Sequence, residues 1–320
     1  MRELGGFFEL ENFNGKEYYD FSSFNLSRNC LEYIIRVKEI KRIYLPYYCC
    51  DCLEFVCKKT KVDIVYYHIN EQFQPILDNV GKLEKNEYIY IINYFGFLSN
   101  SYLRKIKDGY NNIIVDNSQA FFQEPLLDSF TIYNCRKYFG VPDGAYLYTP
   151  EEIKEEYPQA LSYDRMIHLL GRYEATASDF YSKYVENEEK YNNFDIQFMS
   201  KITKNILGAL NYDTIKEKRL HNYNYVNSKL SFINKIKCKD NCTFMYPLLI
   251  KDGNVIRKML IDHRVYVPIL WPGLDKHPLN DFEKELFSNL LPLPIDHRYG
   301  DDEMDYIINL IVRSDNNEKN

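Results

Sequence analysis

Between residues 40 and 150 the chain repeats one pattern: a short apolar run, a polar turn, then a stretch with helical spacing. RIYLP, VDIVYY, YIYIINYFG, NIIVD, SFTIYN and AYLYT are short and rich in β-branched and aromatic residues, so they predict strands. LEFVCKK and SYLRKIKDGY, between them, suit short helices. Runs such as YIYII lack strict alternation, which marks strands buried on both faces, and the α/β alternation predicts a largely parallel sheet covered by helices. From 151 to 235 the chain turns to charged helical segments, as in ASDFYSKYVENEEKY and YDTIKEKRLHNYNYVNSKL, able to lead from one domain to the next. Beyond them TFMYPLLI, RVYVPIL and LLPLPI read as strands, alternating with helices near 253–262, 281–290 and 301–313. This is a second, smaller α/β layer, with SDNNEKN as a frayed tail. The predicted division is a large domain over residues 1–210 and a small C-terminal domain over 211–320.

Composition narrows the partners. With 45% hydrophobic residues in 320 the chain can bury a sizeable core, and its net charge of −6 argues against a nucleic-acid backbone as main partner. No run of about 18 apolar residues occurs, and MRELGGFFELENF lacks the charged start and apolar middle of a signal peptide. The expectation is a soluble, cytoplasmic protein that engages no membrane. Cys49 and Cys52 have the spacing of a zinc half-site and Cys238 with Cys242 imitates another, but neither pair has the glycines of a zinc knuckle. Reduced thiols and no metal are expected. The six histidines are scattered without triad or metal-ligand spacing, and read as ordinary surface or core residues.

In an open parallel sheet, ligands gather beyond the carboxyl ends of the strands. Asp116 closes NIIVD, Pro46 to Tyr48 follow RIYLP, Tyr94 to Gly96 follow IYIIN, and Lys137 lies beyond SFTIYNC. Taken singly, Lys137 reads as a solvated lysine and Asp116 as a helix cap. Together they offer one crevice an amine, a carboxylate, aromatic rings and small polar groups. No GxGxxG follows the first strand and no GxxxxGK[ST] occurs, so neither a Rossmann dinucleotide site nor a P-loop is supported.

IIVDNSQAFF followed by SFTIYNCRKYFGVPDGAYLY resembles the cofactor core of the DegT/DnrJ/StrS family, sugar aminotransferases of fold type I that use pyridoxal 5'-phosphate. FNLSRNCLEY, LPYYCCDCLEFV, IYIINYFG, VYVPILWP and LPLPIDHRY extend the resemblance in order over most of the chain. It implies a fold type I transferase, with a mostly parallel sheet of the seven-stranded type in the large domain and a smaller C-terminal α/β domain. Lys137 matches the lysine that condenses with the cofactor aldehyde, Asp116 the acid paired with the pyridine nitrogen, and Gln119 the polar contact to the ring hydroxyl. Ser27, Arg28 and Asn29 match the stretch that opens a helix on the phosphate, with Arg28 in place of a threonine. The family's serine five residues before its lysine is Ile132 here, and Asn134 is the nearest substitute. For stacking on the ring Tyr48 is the candidate, although a direct count instead reaches Cys50, which cannot stack. The family's GEGG turn is replaced by GVPDGA.

The activity implied is transfer of an amino group from a donor such as glutamate to a keto group of a nucleotide-linked sugar, by a homodimer with its active sites at the interface. Two alternatives stand beside it: another pyridoxal phosphate reaction such as dehydration, and a non-catalytic protein of the same fold. Lys137 counts against dehydration, because the family's sugar dehydratases replace the lysine with histidine. Lys137, Asp116 and Gln119 together count against the non-catalytic reading.

Overall fold

The structure is a computed structural model and describes residues 4–240 and 242–317. Ten strands occur among the described residues: β1 (Ser22–Phe24), β2 (Arg42–Pro46), β3 (Asp63–Ile69), β4 (Pro75–Ile76), β5 (Glu87–Ile92), β6 (Ile113–Asp116), β7 (Phe130–Asn134), β8 (Ala145–Tyr148), β9 (Met245–Leu249) and β10 (Leu290–Pro294). The helices are α1 (Ser27–Val37), α2 (Asp51–Thr60), α3 (Asn100–Tyr110), α4 (Ile167–Glu174), α5 (Tyr181–Lys190), α6 (Lys201–Gly208), α7 (Tyr212–Leu230), α8 (Gly253–Asp262), α9 (Asp281–Asn289) and α10 (Asp301–Asn317).

Eight strands form one sheet in the order β1-β8-β7-β6-β5-β2-β3-β4. From β3 through β2, β5 and β6 to β7 every pairing is parallel, while β8, β1 and β4 join antiparallel at the two edges. The parallel strands are the ones whose sequence showed unbroken apolar runs: in β5 every residue from Tyr88 to Ile92 is buried, and in β6 all four are. Parallel pairing needs helical crossovers, and those helices cover the faces that such runs must hide. The abundant tyrosines and phenylalanines pack largely among themselves, as where Tyr19 stacks on Phe21 at 4.6 Å and lies against Tyr133 and Phe121.

After α7 the chain forms a two-stranded antiparallel sheet, β9 with β10, against which α7, α8 and α9 pack, with α10 on α7 and α8. The predicted strand RVYVPIL is absent. Its residues run from the end of α8 as an unpaired segment, because Pro268 supplies no N–H to a ladder and both Arg264 and Trp271 take positive φ, 61° and 62°. The helix α10 reaches Asn317, so the predicted tail SDNNEKN begins as helix, and its last three residues lie outside the described ones.

The second unit is fastened to the β3 side of the first. Glu283 is fully buried, accepts from the backbone N–H of Ile69 at 2.9 Å and meets His68 Nδ1 at 2.8 Å, while it also closes the capping box of α9 with Asn280. His277 reaches Glu54 at 3.1 Å.

Candidate functional site

The residues singled out from the sequence lie at the carboxyl ends of β2, β5, β6 and β7 and at the start of α1. Asp116 is the last residue of β6 and is nearly buried, with Oδ2 accepting from the Tyr90 hydroxyl at 2.9 Å and Oδ1 from the Ser118 N–H at 2.8 Å. These two donors fix the carboxylate plane and leave each oxygen a further lone pair. Tyr90, in the middle of the apolar run of β5, was not singled out from the sequence; a phenol amid aliphatic residues on a central strand was the only signal. Burial, and then the nearby Asp116 charge, push its hydroxyl well above the usual phenol range, so it remains a donor.

Gln119 is buried, and its Oε1 accepts from the Phe95 N–H at 2.9 Å. A backbone N–H can only donate, so the amide oxygen must face Phe95 and the amide nitrogen must point the other way. That nitrogen is buried and has no hydrogen-bond partner. Phe95 itself takes φ 55°, ψ 8°, a left-handed conformation rare for an aromatic residue, in the tight turn that ends β5.

Lys137 closes a short 3₁₀ turn at Cys135–Lys137 directly after β7. It is solvent-exposed, and its amine lies 5.7 Å from the centre of the Phe244 ring, just ahead of β9. The turn that follows is held by Asp143, fully buried, which accepts from the Ser200 hydroxyl at 2.8 Å, from the Ser200 N–H at 3.2 Å and from Thr203, all at the start of α6. Burial raises its carboxyl above the usual range, against those hydrogen bonds and Arg165. Gly144 has φ 116°, and a β-carbon there would sit 2.9 Å from Thr203 Cγ2.

The start of α1 is open. Its N-cap is Leu26, which has no side-chain acceptor to offer the first N–H groups. Ser27 accepts from Asn134 Nδ2 at 3.0 Å, tying the helix start to the end of β7, and Asn134 Oδ1 is buried without a partner. Arg28 is half-buried and hydrogen-bonded to Asn192. Asn29, by contrast, is turned into the protein, where Nδ2 donates to Asn25 Oδ1 and to the Asp195 carbonyl, both at 2.8 Å. Tyr48 lies in the seam between the two units, its ring against Trp271 at 5.1 Å and Tyr94 at 5.9 Å. Cys50 is the N-cap of α2. Its sulfur accepts from the N–H of Cys52, in the first turn of the helix, at 3.4 Å.

Asp116 and Gln119 thus lie at the end of β6, Asn134 and Lys137 at the end of the neighbouring β7, and Arg28 at the start of α1 tied to it through Ser27, while Asn29 and Tyr48 make contacts within the protein. An open groove of about 560 Å³ runs along Lys16–Tyr18 and Ala209–Asp213, and none of these candidate residues lines it. Among the described residues no His, Cys, Asp or Glu cluster could hold a metal ion, and no helix is long and apolar enough to cross a membrane.

No protein-family model and no curated protein matches the chain. Solved structures do match along most of its length. A sugar aminotransferase from Micromonospora echinospora is 15% identical with a TM-score of 0.64, over 91% of this chain and 86% of that one. A DegT DnrJ EryC1 StrS aminotransferase from Brucella abortus is 13% identical with a TM-score of 0.60, over 91% and 84%. NtdA from Bacillus subtilis, with bound cofactor PMP, is 14% identical with a TM-score of 0.66, over 93% and 73%. The fold is that of the sugar aminotransferases. It is the fold type I architecture, and the eight-stranded sheet counts two short edge strands, β1 and β4, beside its longer members.

Proposed function

We propose that the protein is a pyridoxal phosphate-dependent aminotransferase that acts on a keto sugar, with a donor such as glutamate, and that the sugar is nucleotide-linked. What carries the reading is an exposed amine, Lys137, on the turn beyond β7 of this fold, with a buried carboxylate, Asp116, and an unpartnered buried amide, Gln119 Nε2, at the end of the neighbouring β6. A non-catalytic scaffold needs no such set.

The residues present fit the cofactor. Gln119 Nε2 can donate to a ring oxygen, Asp116 can accept from a ring nitrogen, and the uncapped N–H groups of α1, with Arg28 and Asn134, suit a phosphate. When bound, the cofactor supplies the electron sink that lets a C–H bond at the reacting carbon ionise. Asp116 would hold a proton at the pyridine nitrogen, with its carboxylate fixed by the Tyr90 hydroxyl and the Ser118 N–H. Lys137, exposed on its loop, would be the amine that holds the cofactor and the group that moves a proton at the reacting carbon. Phe244 bounds the amine on the side of the second unit.

We assign the large domain to residues 1–210 and the small one to 211–320, a division that falls just ahead of Tyr212, where α7 begins. We also infer a homodimer with the sites at its interface. Phe7 and Phe8 are 97% and 98% exposed, and Leu161, Leu170 and Tyr173 form a second exposed apolar group around α4.

The deciding experiment is a visible spectrum of the purified protein loaded with pyridoxal phosphate. A band that bleaches with glutamate, and borohydride reduction that places the cofactor on Lys137 by peptide mapping, are the expected results. A colourless protein, or a label on another lysine, would overturn the reading.

A further inference from the structure

Arg219, on α7, is 2% exposed, and its guanidinium reaches three segments that lie far apart along the chain. Nη2 donates to the Tyr138 carbonyl at 2.8 Å, Nη1 to the Thr243 carbonyl at 2.8 Å and the Phe244 carbonyl at 3.4 Å, and Nε to His297 Nδ1 at 3.3 Å. The guanidinium carbon also lies 4.7 Å from the centre of the Tyr138 ring. Anchoring a helix needs no buried charge, and burying one is costly. What a planar fork supplies is a fixed set of donors, aimed in several directions from one point.

Two of the three segments border Lys137. Tyr138 follows it directly, and the Tyr138 N–H closes the 3₁₀ turn on the Cys135 carbonyl at 3.0 Å. Phe244 is the ring whose centre stands 5.7 Å from the Lys137 amine. The Tyr138 and Phe244 rings lie 6.0 Å apart, and the Tyr138 hydroxyl meets the Thr243 hydroxyl at 3.2 Å. To these side-chain contacts Arg219 adds a hold on the main chain of both segments at once.

We infer that Arg219 is a positioning residue for Lys137: it locks the main chain just after Lys137 to the main chain that carries Phe244, and so sets the direction from which the Lys137 amine meets a carbonyl carbon. The inference rests on the reading of Lys137 given above. Arg219 acts through the turn and the ring, not on the reacting atoms. A loosened turn leaves the amine in place but spreads its approach, and a displacement of about 1 Å can cost about 100-fold in rate.

The test reads link formation apart from binding. The full chain, freed of cofactor, is mixed with saturating pyridoxal phosphate, treated with borohydride at set times and mapped by peptide mass. The amine adds to the aldehyde carbon with loss of water, and hydride and a proton then saturate the carbon–nitrogen bond, which marks the lysine. Arg219→Lys keeps the stem and the charge but offers a single nitrogen, and should slow labelling at Lys137 about tenfold or more. Its affinity for pyridoxamine phosphate, which has no aldehyde, should match the parent's. Phe244→Leu leaves the guanidinium in place and removes the ring beside the amine, and should slow labelling in the same direction; where Arg219→Lys does not fold, this variant decides by itself. A purely structural Arg219 would lower the melting temperature and leave labelling of the folded protein unchanged. Labelling of Lys137 at the parent's rate in either folded variant would therefore overturn the inference. A parent labelled on another lysine overturns the reading of Lys137 itself, so the two failures are told apart.

Discussion

Asp116 is held by a phenol and a backbone N–H, and neither can substitute for its charge. In Asp116→Asn the Tyr90 hydroxyl can rotate to accept from the new amide, so thermal unfolding should stay within about 1 kcal/mol of the parent. The charge-assisted contact to a protonated ring nitrogen is lost, and cofactor retention should weaken by about tenfold or more. Equilibrium dialysis with pyridoxal phosphate, beside a melting curve, separates the two effects; an unchanged affinity would show that Asp116 does not face the ring. Lys137, Asp116 and Gln119 stood out in the sequence through the resemblance of IIVDNSQAFF and SFTIYNCRKYFGVPDGAYLY to the family's cofactor core, since taken singly the first two read as ordinary residues. The partners that aim them did not. Tyr90 is hidden among the aliphatic residues of its strand, and Phe95 acts through its backbone, which no side-chain pattern reports.

The turn after Lys137 depends on one glycine. Gly144→Ala must place a side chain at φ 116° and within 2.9 Å of Thr203, so it should destabilise by more than about 1 kcal/mol, read as a lower urea midpoint at unchanged slope. A second element-level prediction concerns α7, where Arg219 is buried and its Nε donates to His297 Nδ1 at 3.3 Å. Burial, and then Arg219, lower the His297 imidazole from 6.5 to about 4. The unfolded chain therefore takes up this proton first as pH falls, and the stability present above about pH 6.5 is lost on the way to about 4. Because the ring is partly solvated the loss should be only about 1–2 kcal/mol. His297→Gln keeps an acceptor for Arg219, so the difference in unfolding midpoint between parent and variant should shrink across that window. A difference that does not change with pH would count against it. Strands β2, β3 and β5 to β10 followed from the apolar runs, whereas the short edge strands β1 and β4 did not, and RVYVPIL has an apolar alternation that suits a strand but a Pro268 that denies it a ladder.

For the whole molecule, the exposed apolar groups at Phe7–Phe8 and around α4 are the features a single chain does not account for. Sedimentation across a dilution series should give a species of twice the chain mass, and Phe7→Ser with Phe8→Ser should raise its dissociation constant. A parent that is monomeric at every concentration would remove the dimer. The second sheet was legible from the apolar runs TFMYPLLI and LLPLPI. The way the units are joined was not, because Glu283 and His68 are 215 residues apart and nothing local in either stretch announces the pair.

The contact between Phe95 and Gln119 makes the crevice a one-way reader of polarity. With its oxygen committed to a main-chain donor, the side chain has only hydrogens left to offer, and those answer to a lone pair. A ring that presents an oxygen at that point is matched, and one that presents C–H leaves a buried donor stranded at about 1–3 kcal/mol. The 3-deoxy analogue of pyridoxal phosphate should therefore bind about 5- to 150-fold more weakly than the parent cofactor by competition dialysis. In Gln119→Leu that preference should disappear, because the protein would no longer ask the question.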